Sequence, residues 1–483
     1  MPRRRTKSGC RTCRIRKVKC DETFPACRRC ATTGRKCDGY GIRGGGHLVT
    51  ITVPSPRVAS TADHQAMEWF CHRTAVKLQG SFYSDFWTSL LTQSSVGEPA
   101  VLHAVLALSC VHRQGIVGKE GRGQSTAALQ HYGQAIRCLQ PHFVAGDRLA
   151  RRVALIACVV FTSLDLLRGH FATAFTHLES GRKLLVWRGG GREYVDDWIE
   201  ETFSRIDLQI GLMRFLHRGV FLTGLPFQKV KMATSFRSIK EAWVGLEHLL
   251  LGSMALSSGT TKDPQEYEHL QQSVVDWQTA YIASRQFFLS HAPIEVQKAD
   301  SILASYHALA SIMAAVSHSP NDEMIFDQHT AAFARLISRM LSVSAMSKRH
   351  TTPTTPPAFD MARSIIDMGC VIPLYYTALK CREHTLRQKA VIFLESTFHR
   401  EGVWDAAMTA RVARKVMELE GEGPVPARRR LQGVEVTIEG EPVRKVALFC
   451  RSDELTGGVR ACVGEYDLEE GAWADGHPGH LGL

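Results

Sequence analysis

The chain has 483 residues, 44% hydrophobic and 22% charged, with a formal net charge of +12. That length points to two or more folded units, and the composition supplies enough apolar material for a sizeable core. The start Met1-Pro2-Arg3-Arg4-Arg5 is followed by no apolar segment of the kind a secretory signal needs. The longest purely apolar run, Val153 to Phe161, is far short of the roughly 20 residues that cross a bilayer, so a soluble, non-secreted chain is expected.

The charge is concentrated at one end. Residues 1–43 hold ten arginines and four lysines against Asp21, Glu22 and Asp38, a net +11, while the other 440 residues hold 45 bases and 44 acids. A neutral body with one basic head suggests a dedicated nucleic-acid module rather than a general polyanion binder. The cysteines divide the same way: six of the 14 lie between Cys10 and Cys37, and the other eight are scattered singly. Those eight read as buried or free thiols of a reducing compartment.

The six follow the spacing Cys10-x2-Cys13-x6-Cys20-x6-Cys27-x2-Cys30-x6-Cys37, a C-x2-C-x6-C unit repeated at an offset of 17 residues. Each C-x2-C reversal brings two sulfurs to one tetrahedral centre. Six thiolates cannot fill two separate tetrahedra, but they can if two sulfurs bridge both metals. A disulfide knot would need an oxidising compartment, to which nothing here routes the chain. A purely structural zinc knuckle is the better rival, yet Arg14-Ile15-Arg16-Lys17-Val18-Lys19 packs four cations between two ligands, which such a knuckle does not need.

The stretch Cys10 to Cys30, with its basic run, Cys20-Asp21 and the loop residue Pro25, resembles the fungal binuclear zinc-cluster DNA-binding domain. The resemblance implies two Zn2+ ions held by Cys10, Cys13, Cys20, Cys27, Cys30 and Cys37. Cys10 and Cys27 would bridge, Cys13 and Cys20 would complete one zinc, and Cys30 and Cys37 the other. It also implies that a short helix in the first half enters the major groove of double-stranded DNA and reads a CGG triplet. Arg16 and Lys17 match the reading positions, and their chemistry suits guanine O6 and N7. Arg11, Arg14, Lys19, Arg28 and Arg29 are expected on phosphates. The family most often has lysine at both reading positions, so Arg16 is a departure. Arg3-Arg4-Arg5-Thr6-Lys7 and the Arg14–Lys19 run also read as nuclear import signals.

Residues 44–62, with Gly44-Gly45-Gly46, Pro54 and Pro56, read as a flexible linker. They exclude a coiled coil up to residue 56, and a helix over about Asp63–Gln79 is too short for one. Monomeric binding and a homodimer both stay open.

From 63 to 420 the pattern is that of successive helices. Leu129, Tyr132, Ile136 and Leu139 share one face, as do Phe171, Phe175, Leu178 and Leu185, while Val101–Val111 and Val153–Leu167 are apolar nearly all round and belong in the interior. Breaks are expected at Gly189-Gly190-Gly191 and Thr351–Pro357. No strand–helix alternation appears, so an all-α domain is expected. Phe86-Trp87, Glu98-Pro99, Phe161–Gly181, Cys381-Arg382 and Arg400–Asp405 resemble the fungal-specific regulatory domain over roughly residues 66–420, a region that in relatives represses, activates or senses.

After residue 430, Val434, Val436 and Ile438 alternate with polar residues and lead through Glu439-Gly440-Glu441-Pro442 to Val446–Phe449, which suggests a β-hairpin. Glu465 to Trp473 reads as an acidic-aromatic tail, either an activation segment or a solvated end. His477 and His480 are a weak metal signal.

No phosphate-binding glycine loop, G-x-S-x-G or H-E-x-x-H is present. Histidines such as His103 and His177 read as satisfied core residues, and Arg400–Asp405 as an ion-paired helix start. The expectation is a non-enzymatic nuclear transcription regulator: a metal-stabilised head (1–43), a linker (44–62), an all-helical regulatory body (63–420) and a C-terminal segment (421–483). Its expected partners are double-stranded DNA and the transcription machinery, with a small-molecule effector left open. The alternative is an enzyme or chromatin scaffold with a DNA-targeting head.

Overall fold

The computed structural model describes residues 12–13, 16, 18–21, 27–33 and 60–475, except 118–125, 146, 187–195, 219–230, 258–262, 291, 320–321, 349–363, 398, 422 and 424. The chain divides into two compact units, Met1–Ser60 and Thr61–Leu483. The linker glycines and prolines, both expected breaks, and His477 and His480 lie outside the described residues.

In the first unit the element α1 (Arg28–Ala31) follows Cys27, whose sulfur accepts the Cys30 N–H and so starts the helix. The second unit opens with α2 (Thr61–Trp69), a π turn (Phe70–Thr74) and α3 (Ala75–Leu78), and a second π turn (Phe86–Leu90) leads into α4 (Leu91–Gly97). Two helical pairs follow: α5 (Pro99–Val117) with α6 (Thr126–Ala145), and α7 (Arg148–Arg168) with α8 (Phe171–Val186). Both all-apolar stretches are interior, with Val101, Leu102 and Ala104–Leu108 buried on α5 and Val153–Ala157 and Val159–Phe161 on α7. Asp147 caps the start of α7 through the Ala150 N–H (2.7 Å), and Gly169 ends it in the left-handed region at φ +78°.

The expected face of α6 is rotated. Leu129 and Ile136 are about two-fifths exposed, and the buried line is Ala128, Ala135 and Leu139. Both lines satisfy the helical period; the one with small side chains allows α5 to approach closely. A similar economy brings α8 to α9 (Asp197–Arg218), where a Cβ on Gly181 would meet the Phe203 ring at 2.4 Å.

The second half of the body packs α10 (Ile239–Ser257), α11 (Pro264–Leu289), α12 (Ile294–Val316) and α13 (Thr330–Lys348) around Trp243, Trp277 and Tyr306, all buried. Helix α12 is long and apolar enough to cross a membrane, and 72% of that stretch is buried inside the protein. Then come α14 (Val371–Lys380), α15 (His384–Glu395), a two-stranded ribbon of β1 (Arg400–Glu401) and β2 (Trp404–Asp405), and α16 (Ala406–Glu420).

The expected ion-paired helix start is found at Arg400–Asp405. Arg400 pairs with Asp405 at 3.0 Å, and Asp405 caps α16 through the Met408 N–H. Glu401 adds a role that the sequence did not suggest: its two oxygens accept the Cys370 and Val371 N–H groups (2.7 and 2.9 Å) at the start of α14.

The hairpin of β3 (Gln432–Glu439) and β4 (Lys445–Arg451) is present and is extended by β5 (Ala461–Asp467) and β6 (Ala472–Ala474) into one antiparallel sheet in sequence order. The acidic-aromatic segment is therefore not a solvated tail. Cys462, Gly464 and Tyr466 point inward along β5, and the Tyr466 ring meets Trp473 at 5.3 Å. The mixture of acids and aromatics in the sequence is the two-faced alternation of a half-buried strand.

Candidate metal centre and nucleic-acid interface

Four of the six expected ligands are described, and they come together. Cys13, Cys20, Cys27 and Cys30 are all buried, with Val18 packed against them. The sulfurs of Cys13, Cys20 and Cys27 lie within 4.8 Å of one another. Cys13 Sγ is 3.6 Å from Cys27 Sγ and 3.8 Å from Cys30 Sγ, and none of the four is in a disulfide. With Zn–S bonds near 2.3 Å, the edge of a tetrahedral zinc–sulfur site is about 3.8 Å, which the Cys13–Cys27 separation fits; Cys13 and Cys30, expected on different zincs, stand as close as one edge, nearer than that assignment implies. Cys10 and Cys37 lie outside the described residues, as do Arg11, Arg14 and Lys17.

Besides the sulfur contacts, side chains of Asp21 and Arg16 join the halves of the repeat among the described residues. The Asp21 carboxylate, directly after the third ligand, accepts the backbone N–H groups of Arg28 (3.1 Å) and Arg29 (2.8 Å). It thereby caps the helix of the second half from the first. Arg16 Nη1 donates to Thr33 Oγ1 at 3.3 Å. Arg16 and Thr33 are separated by the 17-residue repeat offset, so this bond joins equivalent positions of the duplication. Neither tie was assigned from sequence; the offset itself was the available signal for the second. Lys19, Arg28 and Arg29 are exposed and Arg16 is half-buried, an arrangement that leaves cationic groups at the surface of the thiolate core.

The body holds its charges differently. Arg205 on α9, fully buried, pairs with Asp367 and with Glu201 (2.9 Å). Glu247 on α10 stands in the same field and accepts the Trp243 Nε1–H, and burial pushes its carboxyl up to about 7 against the pull of Arg205. A second cluster joins Glu323 to Lys380 and Arg382, and Glu420 to Arg382 and Arg387 (2.6 Å each). Glu420 also accepts the Leu431 N–H, which anchors the entry to the sheet. Burial raises the Glu420 carboxyl, but the two guanidiniums outweigh it and hold it below the usual carboxylate range. His177 Nε2 bonds the Tyr132 hydroxyl (2.7 Å), in keeping with a satisfied interior histidine.

Residues 8–44 match the fungal Zn(2)-Cys(6) binuclear cluster domain, and residues 70–223 match the fungal specific transcription factor domain. The second match ends well before residue 420, so Cys381–Arg387 and Arg400–Asp405 lie beyond it. The chain is 31% identical over 219 residues to an aspercryptin biosynthesis cluster-specific transcription regulator of Emericella nidulans, covering 38% of this chain and 35% of that one. It is 29% identical over 195 residues to the transcription regulator lscL of Purpureocillium lilacinum, covering 35% and 46%. Over 38 residues, 8% of each chain, it is 60% identical to the transcriptional regulatory protein moc3 of Schizosaccharomyces pombe. The matched stretches thus span between about a third and a half of the first two relatives. No solved structure matches. With a zinc-cluster head and a largely helical body that begins in the regulatory domain, the chain has the two-domain plan of the fungal Zn(2)-Cys(6) transcription regulators.

Proposed function

We propose that this chain binds double-stranded DNA in a sequence-specific, zinc-dependent manner at RNA polymerase II promoters in the nucleus, reading a CGG-type triplet and controlling a metabolic or biosynthetic gene set. The observation that carries this reading is the coincidence, within one short segment, of six thiolates at cluster spacing and nearly all of the chain's positive excess. When bound, two Zn2+ ions supply the cross-links that so small a segment needs in order to fold. The protein's own side chains do the rest. Arg16 and Lys17 face guanine edges, and Arg11, Arg14, Lys19, Arg28 and Arg29 neutralise phosphates, a contribution that weakens with added salt.

Residues 1–43 form the head, 44–62 the connector, 63–420 the regulatory body and 421–483 a C-terminal segment whose sheet, Gln432–Ala474, completes that body. We read the body as non-enzymatic. The three relatives above are all named as regulators of transcription, and one is named for a biosynthesis cluster, which favours such a gene set here. Electrophoretic mobility shift on CGG-containing and scrambled duplexes tests the reading. Arg16→Ala and Lys17→Ala should each reduce the preference for the triplet by roughly tenfold or more, from about 1–3 kcal/mol per base contact. Equal losses on both duplexes would remove the base-reading assignment. Retained turnover of a small substrate after deletion of 1–43 would favour the enzyme alternative.

A further inference from the structure

His103 on α5 and His131 on α6 face each other at the half-buried edge of the body. Their Nδ1 atoms are 3.1 Å apart, and their rings are stacked at 25° with centroids 5.3 Å apart. Behind His131, on its other nitrogen, Asp63 of α2 lies 3.4 Å from Nε2. A carboxylate only accepts, so in the neutral pair Nε2 of His131 keeps the hydrogen and its Nδ1 presents a lone pair to His103. The two nitrogens then share one hydrogen, carried on His103 Nδ1.

We propose that His103 and His131 form a divalent transition-metal site on the helical body, with Asp63 as the orienting group behind one ligand. Two imidazoles on a tetrahedral ion at 2.0–2.1 Å have their nitrogens about 3.3 Å apart, so the observed 3.1 Å needs an opening of a few tenths of an ångström together with a turn of both rings that swings their lone pairs from each other onto one ion. A carboxylate on the far nitrogen of a ligating histidine is the usual outer support of such a site. The rings come from two helices packed along their length, which fixes the separation before an ion arrives. Binding needs no net proton release: the hydrogen on His103 Nδ1 moves to Nε2, both Nδ1 lone pairs go to the metal, and water fills the remaining positions. His131 and Asp63 keep partial solvent access, which leaves a route for the ion.

The probe is Ni2+, added to the full chain with its zinc complement loaded and followed by equilibrium dialysis with elemental analysis. One further equivalent of nickel should bind with the zinc content unchanged. His103→Ala and His131→Ala should each weaken uptake at least tenfold, and Asp63→Asn by about tenfold or more. Circular dichroism melts confirm that the variants are folded. His477→Ala with His480→Ala should leave uptake unaltered. No saturable nickel beyond the zinc complement, or uptake indifferent to His103 and His131 in folded variants, overturns the proposal and leaves the pair as a shared-proton contact. Neither result bears on DNA binding by the head.

Discussion

Glu247→Gln tests the energetics of the buried charge cluster. Arg205 is the one guanidinium close to Asp367, Glu201 and Glu247 within that cluster, and Glu247 is the member that burial pushes to about 7 from an ordinary 4.5. A carboxyl whose folded-state value lies above its unfolded value binds protons more tightly in the native state. Its contribution to stability is complete below the unfolded value and is lost as pH rises through the folded one. Between pH 6 and pH 8.5 that loss amounts to about 1.4 kcal/mol. Glutamine keeps an acceptor for Trp243 and cannot ionise, so the variant should gain on the wild type by about that amount across this interval. Urea unfolding followed by tryptophan fluorescence at the two pH values measures it. Asp367, Asp165 and Asp207, each also raised to about 6 chiefly by burial, titrate in both proteins and largely cancel in the difference. Parallel stability profiles for the two proteins would refute the assignment of Glu247 as a group that folding protonates.

Two further outcomes follow from the geometry. Asp21→Ala removes the acceptor for two N–H groups and should destabilise the metallated head by about 1–2 kcal/mol, seen as faster zinc loss to a chelator, while Asp21→Asn should recover part of it. Glu420→Ala leaves Arg382 and Arg387 without their shared buried carboxylate and should cost about 3–5 kcal/mol in chemical denaturation, with the sheet loosening first in hydrogen exchange because Leu431 loses its acceptor.

Local features of this protein were legible in its sequence because their chemistry is local. Metal spacing, the basic run and the apolar runs of α5 and α7 each depend on residues a few positions apart, and the hairpin announced itself by alternation. Choice between faces was less legible: α6 offers two lines of the right period, and only the neighbouring helix decides between them. Least legible were the buried charges. Arg205 meets Asp367 across 162 residues, and Gln209 reaches the Ile366 carbonyl across 157. Nothing near either residue marks it as one half of a pair. Gly402 is a similar case: at φ +56°, with a Cβ that would sit 1.9 Å from Gln209 Oε1, it is required by a helix two hundred positions earlier. In the head, Arg16 is legible as one cation of a basic run between two cysteines, whereas its bond to Thr33 becomes visible only when the two repeats are superposed.

The tip of the β3–β4 hairpin has a consequence for how the chain is made. Glu441 accepts the N–H groups of Ala172 and Thr173 at the start of α8, across 269 and 268 residues. During synthesis those amides emerge well before their acceptor exists. The start of α8 therefore waits for these two bonds until the β3–β4 hairpin has been made. A chain that stops before residue 441 lacks these two bonds at a helix start inside the segment that matches the fungal specific transcription factor domain.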